Sequence, residues 1–205
     1  MEYPTVHIEN AVNEISKLPG IGKKSALRVV LKLLKEKPEF TDSLAEALQK
    51  LRNETKYCRI CHMINDTEDC TCITPKRDTS VICVVEDTPD IMAIQHTAQY
   101  NGLFHVIGGL ISPIDGIGPD DLNIQSLIDR IQNAEYNVKE IILALSTNME
   151  GDTTAFYLAK KLKPLNVKIS TIARGIPIGG ELEFADEITL GRSIVKRISY
   201  DLNGD

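Results

Sequence analysis

Tryptophan is absent from the 205 residues, and aromatic side chains make up only 5% of them. A surface that stacks successive unpaired bases on aromatic rings is therefore not expected. Also missing is any apolar run near the roughly 20 residues that span a membrane, and no signal peptide opens the chain. These absences predict a soluble, cytoplasmic protein with no membrane partner. The phosphate-binding loop Gly-x-x-x-x-Gly-Lys-Ser/Thr is lacking too. Its nearest approach, Gly22-Lys23, has lysine at positions 17 and 24, which argues against ATP hydrolysis by this chain alone. No internal repeat or low-complexity stretch is present.

What is there is enough for a core: 42% of the residues are hydrophobic, in a length that suits one domain or two small ones. The net charge of −6 is unevenly spread. Residues 1–56 carry ten basic and eight acidic side chains, whereas residues 80–205 carry ten basic and seventeen acidic. A basic end on an acidic body confines any nucleic-acid contact to one edge and leaves the remainder for protein partners.

That basic end centres on Leu18-Pro-Gly-Ile-Gly-Lys-Lys-Ser-Ala-Leu-Arg28. Ile8, Ala11, Val12, Ile15 and Leu18 before it, and Ala26, Leu27, Val29, Val30, Leu33 and Leu34 after it, recur at helical spacing. Pro19 and Gly20 end the first helix, and Gly22 is expected to turn the backbone into the second. The free amides of that second helix, its dipole, and Lys23, Lys24 and Arg28 together suit a phosphate. Between Lys17 and Lys37 there are seven basic residues and one acid. The plain alternative is a helix pair with a solvated lysine face. The two-glycine hairpin favours DNA-backbone binding, with Gly20, Gly22, Lys23, Lys24 and Arg28 as its contacts. A third helix is expected over Phe40 to Lys56, capped by Asp42 or Thr41.

Four of the five cysteines follow within 15 residues: Cys58 and Cys61 with two residues between them, then eight residues, then Cys70-Thr-Cys72. In a cytosolic protein such clustering favours a metal over disulfides, and four thiolates suit tetrahedral, structural Zn²⁺. The alternative is a reduced loop. His62 is a second-choice ligand, and otherwise a solvated side chain. Cys83 falls inside an apolar run and reads as a core thiol.

After a polar connector, Pro75 to Ser80, the rhythm changes. Strands at 81–85, 103–107, 141–145 and 167–172 alternate with helices at 89–98, 124–134 and 153–162. Apolar strands alternating with helices mean a parallel sheet covered on both faces. Carboxylates Glu86 and Asp87 follow the first strand, and Ser146-Thr-Asn-Met-Glu150-Gly151 follows the third, where functional groups gather in such sheets. Read without further context, Glu86 and Glu150 are also acceptable as carboxylates at helix N-termini. The last segment, Glu187 to Ile198, suits either a helix or a strand that docks on a neighbouring subunit.

The glycine hairpin resembles the helix-hairpin-helix of DNA repair proteins, and LPGIGKKSALR is similar to the version in the RecR family of bacterial recombination mediators. The stretches ICVVE, SPIDGIGPDDL, TNMEGDTTA and IPIGGELE extend that resemblance over roughly residues 7 to 200. The acidic arrangement resembles the Toprim domain, in which a Glu ends the first strand and Asp-x-Asp-x-Glu-Gly supplies Mg²⁺ ligands. Glu86, Glu150 and Gly151 match, but Ser146 and Asn148 replace both aspartates. Two fewer charges disfavour a hard cation. The resemblance implies an α/β chain of four parts: a helix-hairpin-helix region (1–56), a four-cysteine zinc finger (57–79), a Toprim domain (80–175), and a C-terminal Walker B-like segment with an oligomer contact (176–205). It implies a homo-oligomeric, tetrameric ring that encircles DNA and acts without enzymatic activity. With RecO, and in some bacteria RecF, such proteins load RecA on single strands coated by single-strand binding protein. A metal-dependent Toprim strand enzyme is the competing expectation. The Cys70-Cys72 spacing departs from the family's two-residue gap.

Overall fold

The computed structural model describes residues 3–70, 72–176, 179 and 181–197. The chain divides into two compact units, Met1–Lys56 and Tyr57–Asp205. Among the described residues no helix is long and apolar enough to cross a membrane.

In the first unit, α1 (Val6–Ile15) and α2 (Lys23–Leu33) close on each other through Val12, Ala26 and Val30, with Ile8, Ala11, Ile15, Ile21 and Leu27 around them. The Thr5 hydroxyl caps α1 by accepting from the Ile8 amide. The turn between the helices depends on Gly20, which has φ +78°, a conformation that suits glycine. Gly22, expected to make the tight turn, is instead extended and serves as the N-cap of α2 with no side-chain bond. α3 (Pro38–Glu54) starts earlier than the periodicity suggests, and neither Thr41 nor Asp42 caps it. Pro38 supplies the start, since its fixed φ and missing amide cost nothing in a first turn. No residue of α3 is buried, and Phe40, Leu44, Leu48 and Leu51 form an exposed apolar stripe along it.

The second unit is a four-stranded parallel sheet with a small cysteine module at its start. Strands β1 (Lys56–Tyr57) and β2 (Ile64–Asn65) pair within that module. The sheet runs β4-β3-β5-β6, from β3 (Asp78–Val85), β4 (Gly102–Val106), β5 (Glu140–Ala144) and β6 (Lys168–Thr171). β3 begins three residues before its apolar run, because Asp78 already pairs with Gly102 ahead of a register shift. The polar connector is thus partly strand. β3 sits at the centre, and its side chains alternate between two cores. Ile82 and Val84 join Leu127 of α5 (Ile124–Gln132) and Leu158 and Leu162 of α6 (Met149–Leu162) on one face. Cys83 and Val85 join Ile91 of α4 (Thr88–His96) on the other. Helices on both faces follow from strands that are apolar throughout. Cys83 is a core thiol, and burial pushes it up to about 12.

α6 starts at Met149, four residues before the expected Thr153, because Asn148 caps it by accepting from the Gly151 amide at 2.8 Å. Gly151 packs directly under the Ser146 carbonyl, and a Cβ there would overlap that oxygen. The C-terminal segment settles as a helix, α7 (Glu187–Val195), capped by Asp186. Pro177, Ile178 and Gly180 of the Walker B-like stretch, and residues 198–205, lie outside the described residues. Gly151→Ala should destabilise the second unit by about 1–3 kcal/mol, a drop of several degrees in thermal unfolding. Gly191→Ala, where a Cβ meets nothing, should leave the midpoint unchanged or slightly raised.

Candidate metal centre, strand-end acids and phosphate-binding hairpin

The cysteine module is folded around its sulfurs. The Cys58 amide donates to Met63 O at 2.9 Å, and the His62 amide donates to Cys58 O at 3.0 Å, closing a knuckle that turns through His62 at φ +58°. Inside it, the amides of Ile60 and Cys61 approach Cys58 Sγ at 3.4 and 3.5 Å. The sulfurs of Cys58, Cys61 and Cys70 lie within 4.8 Å of one another. Cys72 Sγ is 2.8 Å from that of Cys70. Cys58, Cys61 and Cys72 are buried. Cys58, Cys61 and Cys70 together could hold a metal ion, and Cys72 stands outside that group, against Cys70. A tetrahedral thiolate site with metal–sulfur bonds of about 2.3 Å has edges of about 3.8 Å, so Cys70 and Cys72 need only spread by about 1 Å. The one-residue spacing therefore does not by itself keep Cys70 and Cys72 from sharing an ion, although Cys72 lies outside the three-sulfur group.

The sulfurs are not equivalent. Hydrogen bonds from Cys61 and Cys70, aided by the Arg130 charge, pull the Cys72 thiol below its ordinary value. Cys61 moves the opposite way, because its thiol is shared with Cys70 and Cys72 and is buried.

His62 is half-buried and stands outside the clustered ligands. Its Nε2 lies 2.7 Å from Ser126 Oγ on α5. The Ser126 hydroxyl is also 3.0 Å from Asn123 O, so it links His62 to the start of α5. Next to it stands His105 of β4, fully buried, edge-on to His62 at 5.4 Å, with Nε2 3.0 Å from Asn123 O. Burial, with Arg130 and His62 nearby, holds the His105 imidazole neutral down to about 3.

At the carboxyl ends of the strands, Glu86 and Asp87 are occupied by local bonds. The Ser146 hydroxyl donates to Glu86 Oε2 at 2.7 Å. Asp87 caps α4 by accepting from the Thr88 amide at 2.7 Å, and Asp90 returns a bond from the Asp87 amide at 3.1 Å. Glu150 sits in the first turn of α6, where the dipole favours it. Among the described residues, the cysteines are the one cluster of His, Cys, Asp and Glu side chains with metal-binding spacing.

In the first unit, Lys23, Lys24 and Arg28 are exposed on the opening turns of α2. Lys17 and Lys32 are held by Glu14 and Glu36, whereas those three cations have no ion-pair partner among the described residues. No acid stands in the first turn, so the amides of α2 and three free cations face solvent together.

Sequence reasoning missed Arg130, which reads as an ordinary last-turn cation on an amphipathic helix. It is buried, and its guanidinium reaches Phe104 O, Tyr136 Oη and Cys72 Sγ.

Comparison with known proteins adds three family matches. The family model described as "RecR, helix-hairpin-helix" matches residues 8–52, "Toprim domain" matches 80–173, and "RecR, C-terminal" matches 175–198. A protein named Recombination protein RecR from Cytophaga hutchinsonii is 57% identical over 206 residues, covering 100% of each chain. The protein of that name from Bacteroides thetaiotaomicron is 56% identical, covering 97% of each. That from Amoebophilus asiaticus is 57% identical over 98% of this chain and 100% of its own.

The pH dependence follows from His105. Its native value lies far below the roughly 6.5 of an unfolded histidine, so the unfolded chain takes up the proton first. The stability that comes from keeping it neutral is complete above pH ~6.5 and is lost as the pH falls towards 3. Denaturant unfolding of the parent should therefore weaken with acid more steeply than that of His105→Gln, which keeps a donor for Asn123 O. Parallel slopes would contradict this.

Proposed function

The chain belongs to the RecR family, and on that premise we propose that it is a DNA-binding recombination mediator without strand-cleaving chemistry of its own. It acts with RecO, and in some bacteria with RecF, to load RecA on single-stranded DNA in the cytoplasm. The observation that carries the DNA contact is the opening of α2, where three unpaired cations sit beside free helix amides. Such a site takes phosphate oxygens and offers nothing to read base edges, so binding is independent of sequence.

One hairpin reaches only a few phosphates. Affinity then comes from several copies on one assembly, each raising the effective concentration for the next. The exposed stripe of Phe40, Leu44, Leu48 and Leu51 supports a homo-oligomer, because side chains at helical spacing on one face ask for a partner surface. A tetrameric ring is the arrangement that the family suggests.

The four sulfurs are assigned to structural Zn²⁺. Thiolate donors suit it, and a site closed by four ligands leaves no position for a substrate. When bound, the ion orders a polar segment that has too little apolar surface to fold alone. Residues 57–79 are thus a zinc finger whose role is to hold shape, and residues 176–205 are a C-terminal segment suited to subunit contact.

Absence of strand chemistry rests on Ser146 and Asn148. Ser146 donates a hydrogen bond to Glu86, and Asn148 is spent capping α6. Neither can supply the carboxylate that a Mg²⁺ site needs. Addition of Mg²⁺ or Mn²⁺ should yield no cleavage, relaxation or primer synthesis. Cleavage that disappears in Glu86→Ala would promote the Toprim strand-enzyme reading.

The DNA contact is tested by Lys24→Ala together with Arg28→Ala. The double variant should bind DNA more weakly, by a similar factor for every sequence. The slope of log affinity against log salt should flatten by about 0.7–0.9 for each phosphate no longer neutralised, repeated in every engaged subunit. Parental binding at moderate salt would reduce the hairpin to a structural corner.

A further inference from the structure

Arg130 stands in the last turn of α5, only 6% exposed, yet no carboxylate pairs with it among the described residues. A guanidinium keeps its charge in any protein environment, and one buried without a counter-charge is costly. Each of its three nitrogens donates one bond. Nη1 donates to Phe104 O at 2.8 Å, Nε to Tyr136 Oη at 3.1 Å, and Nη2 to Cys72 Sγ at 3.4 Å. The carbonyl and the phenol are neutral. Among the described residues, the sulfur cluster, as thiolates, is the one source of negative charge that it touches.

Four thiolates around a divalent ion carry a net charge of −2, which is itself poorly tolerated in a buried site. A cation that donates to one of the sulfurs relieves both costs at once. We infer that Arg130 is an outer partner of the metal centre, which neutralises part of its charge and holds Cys72 in place as a ligand. The same guanidinium binds the Phe104 carbonyl on β4, so it couples metal occupancy to the edge of the sheet. This inference rests on the four-thiolate zinc reading and adds to it a positioning residue 58 positions away in sequence from the sulfur it serves.

The test compares full-length parent, Arg130→Met, Arg130→Lys and Tyr136→Phe, each loaded with Zn²⁺ alone. Zinc affinity is read by competition with a chromophoric chelator, and thermal unfolding is recorded before and after chelation. Arg130→Met should bind zinc about 10–100-fold more weakly. Arg130→Lys should fall in between, since it keeps the charge and loses the fork. Tyr136→Phe, which spares the bond to sulfur, should stay within about threefold of the parent, well short of the loss expected for an outer partner.

The drop in unfolding midpoint on chelation should also be smaller for Arg130→Met than for the parent, because weaker binding stabilises less. An arginine that only packed beneath β4 would shift both forms equally and leave that drop unchanged, which would overturn the inference. A parent that binds no zinc would sink the four-thiolate reading itself. A parent with one zinc per chain and a methionine variant that holds it as tightly would overturn the inference alone. If Arg130→Met does not fold, Arg130→Lys decides, and parental affinity in that variant counts against the role.

Discussion

At the outer edge of the parallel sheet, the Val106 amide donates to the Cys61 carbonyl at 2.9 Å, and two residues earlier the Phe104 carbonyl accepts from Arg130 at 2.8 Å. β4 is an edge strand, and these are the polar groups that such an edge would otherwise leave open. Both partners come from the surroundings of the sulfur cluster. The cysteine module is therefore more than an appendage ahead of the sheet: its knuckle is hydrogen-bonded to the edge strand, and α5 is drawn in by the same network through Ser126 and Arg130. The order of the module and the integrity of that edge are linked by short bonds rather than by general packing.

The opposite feature of the fold is a site that has the frame of an ion site without its charge. Gly151 allows the first turn of α6 to lie against the Ser146 carbonyl, and Glu86 ends β3 where a catalytic carboxylate would stand. Yet the side chains at 146 and 148 are given to structural work, one bonding Glu86 and the other capping the helix. A frame of this kind holds helices on a sheet whether or not it holds an ion. What remains for function is the basic opening of α2, the exposed apolar stripe of α3, and the cysteine module bonded to the sheet edge.

Much of this was legible in the chain. Periodicity marks α1 and α2, a run of apolar residues marks β3, and cysteine spacing marks the module, because each signal is local and has one physical cause. Element starts were less legible. α3 begins at Pro38 and α6 at Met149, where a proline and an asparagine cap take the place of the apolar rhythm. Gly20 rather than Gly22 bears the positive φ, a choice that depends on how two helices meet. Pairings across long separations left no trace at all. His62 and Ser126 are 64 positions apart, and Arg130 on an amphipathic helix reads as a solvated charge until the fold brings a sulfur to it.

The most direct measurement is hydrogen exchange at the Val106 amide, with the metal bound and after chelation. Its acceptor is the Cys61 carbonyl, whereas the neighbouring Ile107 amide donates to Val85 O of β3 at 3.0 Å, within the sheet end itself. If the metal-ordered knuckle closes the edge, chelation should strip protection from Val106 while Ile107 keeps most of its own. A Val106 amide that stays as protected without the metal as with it would contradict the account, because the edge would then be held by the sheet alone.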